Sequence, residues 1–275
     1  MEKESLFLRF LYHTVLGRVL LKMLSCRFVS FIVGLFLSSQ CSRFLISGFI
    51  KKNHIVIEEY EQKNYKSFND FFSRKIKKEC RPIARNAKDC ISPSDGFLSA
   101  HPIENGLVLP IKQSVFSISS LLQNEKLAKK YKNGTCIVLR LCVDHYHRYC
   151  YLDEGTKENN VYIPGKLHTV RPIALEKCPV FTENAREYTI MHTKHFGDVV
   201  EIEIGALLVG KIKNYHQVYQ FSKGEEKGTF LFGGSTIVLL FQKNAVKISK
   251  SYFEKSKRGM EIPIKMGEKI GESLK

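Results

Sequence analysis

An α+β fold is what the 275-residue sequence predicts: a β-rich antiparallel barrel or sandwich with basic amphipathic N-terminal helices. Three observations carry this. Residues 1–50 place apolar side chains at helical spacing, with arginines and lysines between them. From about Cys90 onward, short apolar runs alternate with turns rich in Gly, Asn, Lys and Asp. No Gly-x-Gly-x-x-Gly and no P-loop occurs, so nothing supports a nucleotide-binding α/β fold.

The helical stripe runs through Leu6, Phe7, Phe10, Leu11, Val15, Leu16, Val19, Leu20 and Leu24, interleaved with Arg9, Arg18, Lys22 and Arg27. A second apolar run, Phe28 to Leu37, is well short of the ~20 residues that span a bilayer. Two packings satisfy this pattern. The helices can sit on the domain core, or lie at an interface with Lys and Arg at anionic headgroups. Charge favours the interface. Lys plus Arg total 43 against 27 Asp plus Glu, a net +16 with a pI near 9.4, and such a chain attracts polyanions. No zinc finger, RNP-type strand or bZIP pattern appears, which points that charge to a membrane and away from nucleic acid.

The eight cysteines are Cys26, Cys41, Cys80, Cys90, Cys136, Cys142, Cys150 and Cys178. No two form a CxxC pair, so no metal site is expected. In a chain this long without a secretory signal they read as reduced, mostly buried thiols facing the cytosol.

A polar break, Lys51 to Lys66, separates a helical region 1–60 from a β-rich domain 61–275. Ser67 reads as the N-cap of a short helix, with Asp70 three residues on. Strands are predicted over Cys136–Leu141, Tyr188–His192, Val199–Ile204, Leu207–Ile212, Thr229–Phe232 and Ile237–Phe241, and a helix over Ser117–Tyr131.

Three segments carry chemical potential. In Ser92-Pro93-Ser94-Asp95-Gly96, Pro93 and Gly96 bracket a tight turn bearing Asp95. In His145-Tyr146-His147-Arg148-Tyr149-Cys150, two histidines two residues apart on an extended segment point the same way. They suit half a metal site, a general base, or a plain satisfied pair. In Phe232-Gly233-Gly234-Ser235-Thr236, glycines precede a serine where a strand begins. Such glycines permit unusual backbone angles, whether for a bulge, a phosphate turn or backbone self-cleavage.

In this order, SFNDFFSRKI (67–76), SPSDG (92–96), YHRYC (146–150), FTENAREYTIM (181–191), VEIEIGALLVGKI (200–212) and FGGSTIVLLF (232–241) closely resemble the phosphatidylserine decarboxylase proenzyme family, over about residues 65–275. The resemblance implies that Ser235 attacks the carbonyl of Gly234 and that the resulting ester eliminates to dehydroalanine. Hydrolysis then leaves a pyruvoyl group. Chains 1–234 and 235–275 would stay together as a heterodimer. The pyruvoyl ketone would take up phosphatidylserine as a Schiff base and release CO₂, giving phosphatidylethanolamine. Asp95 matches the family aspartate of self-cleavage. His147 matches the histidine of decarboxylation and is the expected proton donor. Asn184 and Arg186 lie in a matched segment, where Arg186 suits either a substrate phosphate or carboxylate, or an ion pair with Glu183 or Glu187.

One position departs. The family often carries a second histidine three residues after the first, with a role in self-cleavage, and here Cys150 stands there. His147 doing both jobs, or His145 substituting, would fill that role. The implied setting is the cytoplasmic face of the cell membrane, bound peripherally, with a homo-oligomer left open. A non-catalytic membrane-binding barrel derived from the family is the alternative. The segment Gly259–Gly271 also has the hairpin rhythm of biotinyl and lipoyl carrier barrels, with Lys265 its one modifiable lysine, a likeness of fold and not of function.

Overall fold

The computed structural model describes residues 6–24, 27–61, 64–104, 108–111, 114–166, 180–205, 211–231, 233 and 235–274. The N-terminal region is helical: α1 (Leu6–His13), α2 (Val15–Leu24), α3 (Arg27–Ser38) and α4 (Phe44–Asn53). α5 (Phe68–Phe72) follows, and the Ser67 hydroxyl does cap it by accepting from the Asp70 N–H at 3.2 Å. The Asp70 carboxylate accepts instead from the Lys66 N–H, one residue before the position a capping box would use.

Among the described residues, seventeen strands follow. They are β1 (Asp89–Ile91), β2 (Gly96–Pro102), β3 (Val108–Ile111), β4 (Ser114–Ser117), β5 (Thr135–Leu141), β6 (Arg148–Cys150), β7 (Gly155–Lys157), β8 (Val161–Ile163), β9 (Arg186–Thr193), β10 (Gly197–Gly205), β11 (Ile212–Asn214), β12 (Tyr219–Phe221), β13 (Glu226–Phe230), β14 (Ser235–Phe241), β15 (Val246–Ile248), β16 (Ile262–Ile264) and β17 (Lys269–Ser273). The main antiparallel sheet has the order β12-β7-β9-β10-β14-β5-β2-β16, with β8 also on β9. Smaller sheets are β1-β17-β15, β11-β13-β6 and the hairpin β3-β4.

This is the α+β arrangement expected. Of the two all-β forms proposed, a closed barrel is not formed among the described residues, because the strand path runs from β12 to β16 without returning. The five well-separated strand predictions are found, and each is longer by one to three residues at an end than expected or shifted as at β13. The predicted strand Leu207–Ile212 lies outside the described residues apart from its last two. The predicted helix Ser117–Tyr131 is two helices, α6 (Ile118–Leu122) and α7 (Glu125–Lys129). Gln123 between them is left-handed (φ 49°), and the Asn124 side chain caps the second by accepting from the Leu127 N–H.

Both faces of the main sheet are buried, which is why β14 reads Ser-Thr-Ile-Val-Leu-Leu-Phe with no polar alternation. Val238 and Leu240 meet Val200, Ile202 and Ile204 on one face, under α6, α7 and the buried Leu11, Tyr12 and Leu21 of the N-terminal helices. Ile237, Leu239 and Phe241 meet Leu139, Leu141, Tyr149 and Cys150 on the other. A third cluster joins Leu37 and Phe49 of α3 and α4 to Tyr60, Phe68, Phe71, Phe72 and Tyr146. The Phe68 N–H donates to the buried Ser42 hydroxyl, so α5 is tied to the helices before it.

The N-terminal helices rest on the domain core and leave some apolar side chains outside it. Part of each apolar stripe is in the core, while Val15, Leu16, Val19, Phe31, Leu35 and Phe44 are exposed. Among the described residues no single helix is long and apolar enough to cross a membrane. Phe31–Ser38 with Gln40–Asn53 would do so together by length and composition, but they are bent by 78°.

Candidate active site

Ser235 is the first residue of β14 and is fully buried. β14 pairs along its whole length with β10 on one side and β5 on the other. Ser235 lies opposite Gly205 and Leu141, so on the β10 side no side chain stands across from it. Two residues earlier, Gly233 has φ +137°, a conformation that L side chains rarely adopt. The Ser235 Oγ and the Thr236 Oγ1 are both buried without a hydrogen-bond partner. A buried, unpartnered hydroxyl costs about 1–3 kcal/mol, so neither of these two contributes to stability through a hydrogen bond.

His147 is also fully buried, its ring 4.1 Å from that of Phe72. Its Nδ1 lies 2.9 Å from the His145 carbonyl, which makes Nδ1 the protonated nitrogen. Its Nε2 is then a bare acceptor, and it has no partner. Burial, and after it the nearby Arg74 guanidinium, pushes the imidazole well below its ordinary range, so it is neutral.

Asp95 sits on the turn before β2 with its carboxylate held on three sides. Arg81 donates Nε–H to Oδ1 (2.8 Å) and Nη2–H to Oδ2 (2.6 Å), a bidentate buried pair. The Met266 N–H donates to Oδ1 at 2.9 Å. Gly267 (φ +86°) makes the turn that presents this N–H, and a Cβ there would stand 2.5 Å from the Pro82 carbonyl. Asp95, Arg81 and His145 line an open cavity of about 350 Å³, walled also by His54, Tyr60 and Lys265. Ser235 and His147 are not in its lining.

The phosphatidylserine decarboxylase family profile matches residues 68–272. A phosphatidylserine decarboxylase proenzyme 2 of Clostridium acetobutylicum is 49% identical over 267 residues, covering 97% of this chain and 91% of that one. A proenzyme of Ruminiclostridium cellulolyticum is 44% identical over 96% of this chain and 90% of its own. One from Clostridium botulinum is 42% identical over 96% and 92%. The chain belongs to the phosphatidylserine decarboxylase family.

Family membership sharpens three details. First, Cys150 stands beside the aspartate turn, its N–H donating to the Pro93 carbonyl at 2.9 Å. Burial, then the charge of Glu201, pushes its thiol far up, so it is no thiolate and no base. Second, His145 and His147 do not share one extended face. Cys142–His145 is a turn, closed by the His145 N–H on the Cys142 carbonyl, and β6 begins only at Arg148. The His145 Nδ1 accepts from the Cys142 N–H (3.1 Å).

Third, Arg186 is neither exposed nor ion-paired in the manner expected from sequence. It is buried and donates to four carbonyls: Leu121 (2.7 Å), Thr182 (2.8 Å), Ser120 (2.9 Å) and Asn184 (3.0 Å). Burial lowers it to about 10. The buried Asn184 amide donates to the carbonyl of Gly205, the residue opposite Ser235. These two side chains brace the backbone behind the serine.

Sequence reasoning missed Arg81, which no spacing rule links to Asp95. It also passed over Glu201 and Glu203, although two glutamates two apart in an apolar strand signal buried same-face carboxylates. The protonated, buried thiol of Cys150 carries a prediction. In the folded chain at ~pH 8 iodoacetamide will alkylate the exposed Cys41 and leave Cys150 unmodified, as read by peptide mass. Equal labelling of both would contradict this assignment.

Proposed function

We propose that this chain is a phosphatidylserine decarboxylase proenzyme that cuts its own backbone before Ser235 and then converts phosphatidylserine to phosphatidylethanolamine and CO₂. One observation carries the reading: a positive-φ glycine leads into a fully buried serine whose hydroxyl has no partner. A serine held only for stability would have its hydroxyl satisfied.

The cut needs no outside reactant in its first step. The Ser235 Oγ bonds to the Gly234 carbonyl carbon, the Gly234–Ser235 C–N bond breaks, and the proton moves from Oγ to the freed nitrogen. The ester is an isomer of the peptide. Elimination releases the carboxylate of chain 1–234, and water then removes ammonia from the new end of chain 235–275, leaving the pyruvoyl group. When present, that group supplies an electron sink for loss of CO₂. The residues suit it, since the glycine opposite Ser235 leaves room on the β10 side.

His147 serves as the proton carrier of decarboxylation: its bare Nε2 takes from solvent the one proton that the overall reaction consumes and gives it to the carbon that loses CO₂. Asp95, fixed by Arg81 and the Met266 N–H, acts as an anchor for the turn beside Cys150 and sets the charge of the cavity. Asn184 and Arg186 are positioning residues, not substrate ligands. The chain attaches peripherally to an anionic membrane through the exposed apolar side chains of α1–α4 and the basic residues among them.

Three outcomes are expected. Ser235→Ala will remain one chain of full mass, and normal cutting of that variant would end this reading. His147→Ala will lose phosphatidylserine turnover by at least about a hundredfold, and full turnover would move the proton carrier elsewhere. Replacing the exposed Val15, Leu16 and Phe31 by Ser will weaken sedimentation with phosphatidylserine vesicles, binding that also falls as salt rises. Unchanged binding would place the membrane contact on another surface.

A further inference from the structure

Among the described residues four arginines are buried: Arg74, Arg81, Arg140 and Arg186. Three of them are matched. Arg81 is paired with Asp95, Arg140 with Glu261, and Arg186 with its four carbonyls. Arg74, 2% exposed, faces no carboxylate among the described residues. Its Nη1 donates to the Phe71 carbonyl (3.4 Å), and its Nη2 to the Tyr60 hydroxyl (3.2 Å) and the Asp144 carbonyl (3.3 Å). All three bonds are long, and its Nε has no partner. The guanidinium lies over two aromatic faces, Tyr60 at 4.4 Å and Phe71 at 4.8 Å.

A guanidinium does not give up its proton in a protein, so this charge is permanent. A dry interior resists a charge without a counter-ion. Packing alone would be served as well by an apolar side chain of similar size. What the charge adds is a field, and His147 stands in that field.

The chain leaving α5 grips the histidine segment at three points. The Phe72 ring packs on His147, the Ser73 carbonyl accepts from the Arg148 Nε–H at 2.8 Å, and Arg74 holds the Asp144 carbonyl. The His147 Nδ1–H is fixed on the His145 carbonyl, so Nε2 is the nitrogen left to gain a proton. Burial comes first in keeping that proton off, and the Arg74 charge comes second. The other titratable groups around the imidazole are already placed. Its own segment brings Asp144, His145, Tyr146 and Arg148, and the α5 side brings Tyr60 against Arg74. From β13, which bonds the His147 carbonyl, come Glu226, paired with Arg148, and Lys227, paired with Glu201 and Glu203.

We propose that Arg74 is a positioning residue for decarboxylation, whose unmatched buried charge holds the His147 imidazole uncharged at rest and sharpens it as a proton donor once loaded. This rests on the reading of His147 as the proton carrier. The proton comes from solvent, sits on Nε2 and passes to the carbon that loses CO₂. One proton is consumed per turnover, and His147 ends neutral as it began. An imidazolium beside a second cation is a stronger acid than a free one, which favours donation to carbon.

The test is the ¹⁵N spectrum of labelled histidines in the full-length Ser235→Ala chain, titrated with acid, with His147→Ala to assign the signal. With Arg74 present, His147 should stay in its neutral Nδ1–H form down to ~pH 5. Arg74→Gln keeps side-chain donors and loses the charge, so His147 should titrate above ~pH 5, at least about one pH unit higher. Arg74→Lys should behave as the parent chain does. Arg74→Met is the second uncharged variant, should the glutamine variant not fold. In the mature wild-type chain phosphatidylserine turnover should keep rising as pH falls to ~5, whereas in Arg74→Gln it should level off about one unit higher. A residue that only supports the fold would leave both profiles unmoved. A His147 that stays neutral to ~pH 5 in the uncharged variants overturns the proposal, and so does one that titrates in the ordinary histidine range with Arg74 present. The spectrum decides this assignment without any turnover. Full turnover in His147→Ala would instead defeat the proton-carrier reading on which it rests.

Discussion

The site depends first on the pairing of β14 with both β10 and β5, from Ser235 to Phe241. This central strand is buried on both faces, so its first residue has little freedom. The constraint has two consequences. Ser235 is held in one place by ladders on either side, with Gly233 at φ +137° two residues before it. After a cut at that point the C-terminal piece would still be a full partner of two strands from the N-terminal piece. It would also hold β15, β16 and β17, which pair with one another or with β1 and β2. A nick there leaves the core intact.

Buried charge is the second organising feature. Arg81–Asp95 joins the N-terminal part of the chain to the aspartate turn, and the Met266 N–H brings in the C-terminal hairpin. Removing either partner of such a pair commonly costs about 3–5 kcal/mol, because the other charge is left in a dry setting. Lys227 with Glu201 and Glu203 repeats the theme under the main sheet. Apolar residues of similar volume would stabilise a fold at least as well.

Much of this was legible in the sequence because it follows short-range rules. β14 shows as an unbroken apolar run, the Ser67 cap shows from its neighbours, and the glycines before Ser235 announce unusual backbone. What was not legible depends on groups far apart in the chain. Arg81 reaches Asp95 across a turn, and Arg186 finds its four carbonyls only once α6 is folded beside β9. The split at Gln123 needed a left-handed residue that composition does not signal. His145 and His147 were read by strand parity, but a turn precedes β6 and parity does not apply. Whether the main sheet closes is a property of its edge strands β12 and β16, and no local pattern reports it.

The most direct test of the account is the intact mass of the purified wild-type chain under denaturing conditions. The account predicts two chains divided between Gly234 and Ser235, with the 235–275 piece lighter by one ammonia than its sequence requires. A single chain of 31.6 kDa would contradict it.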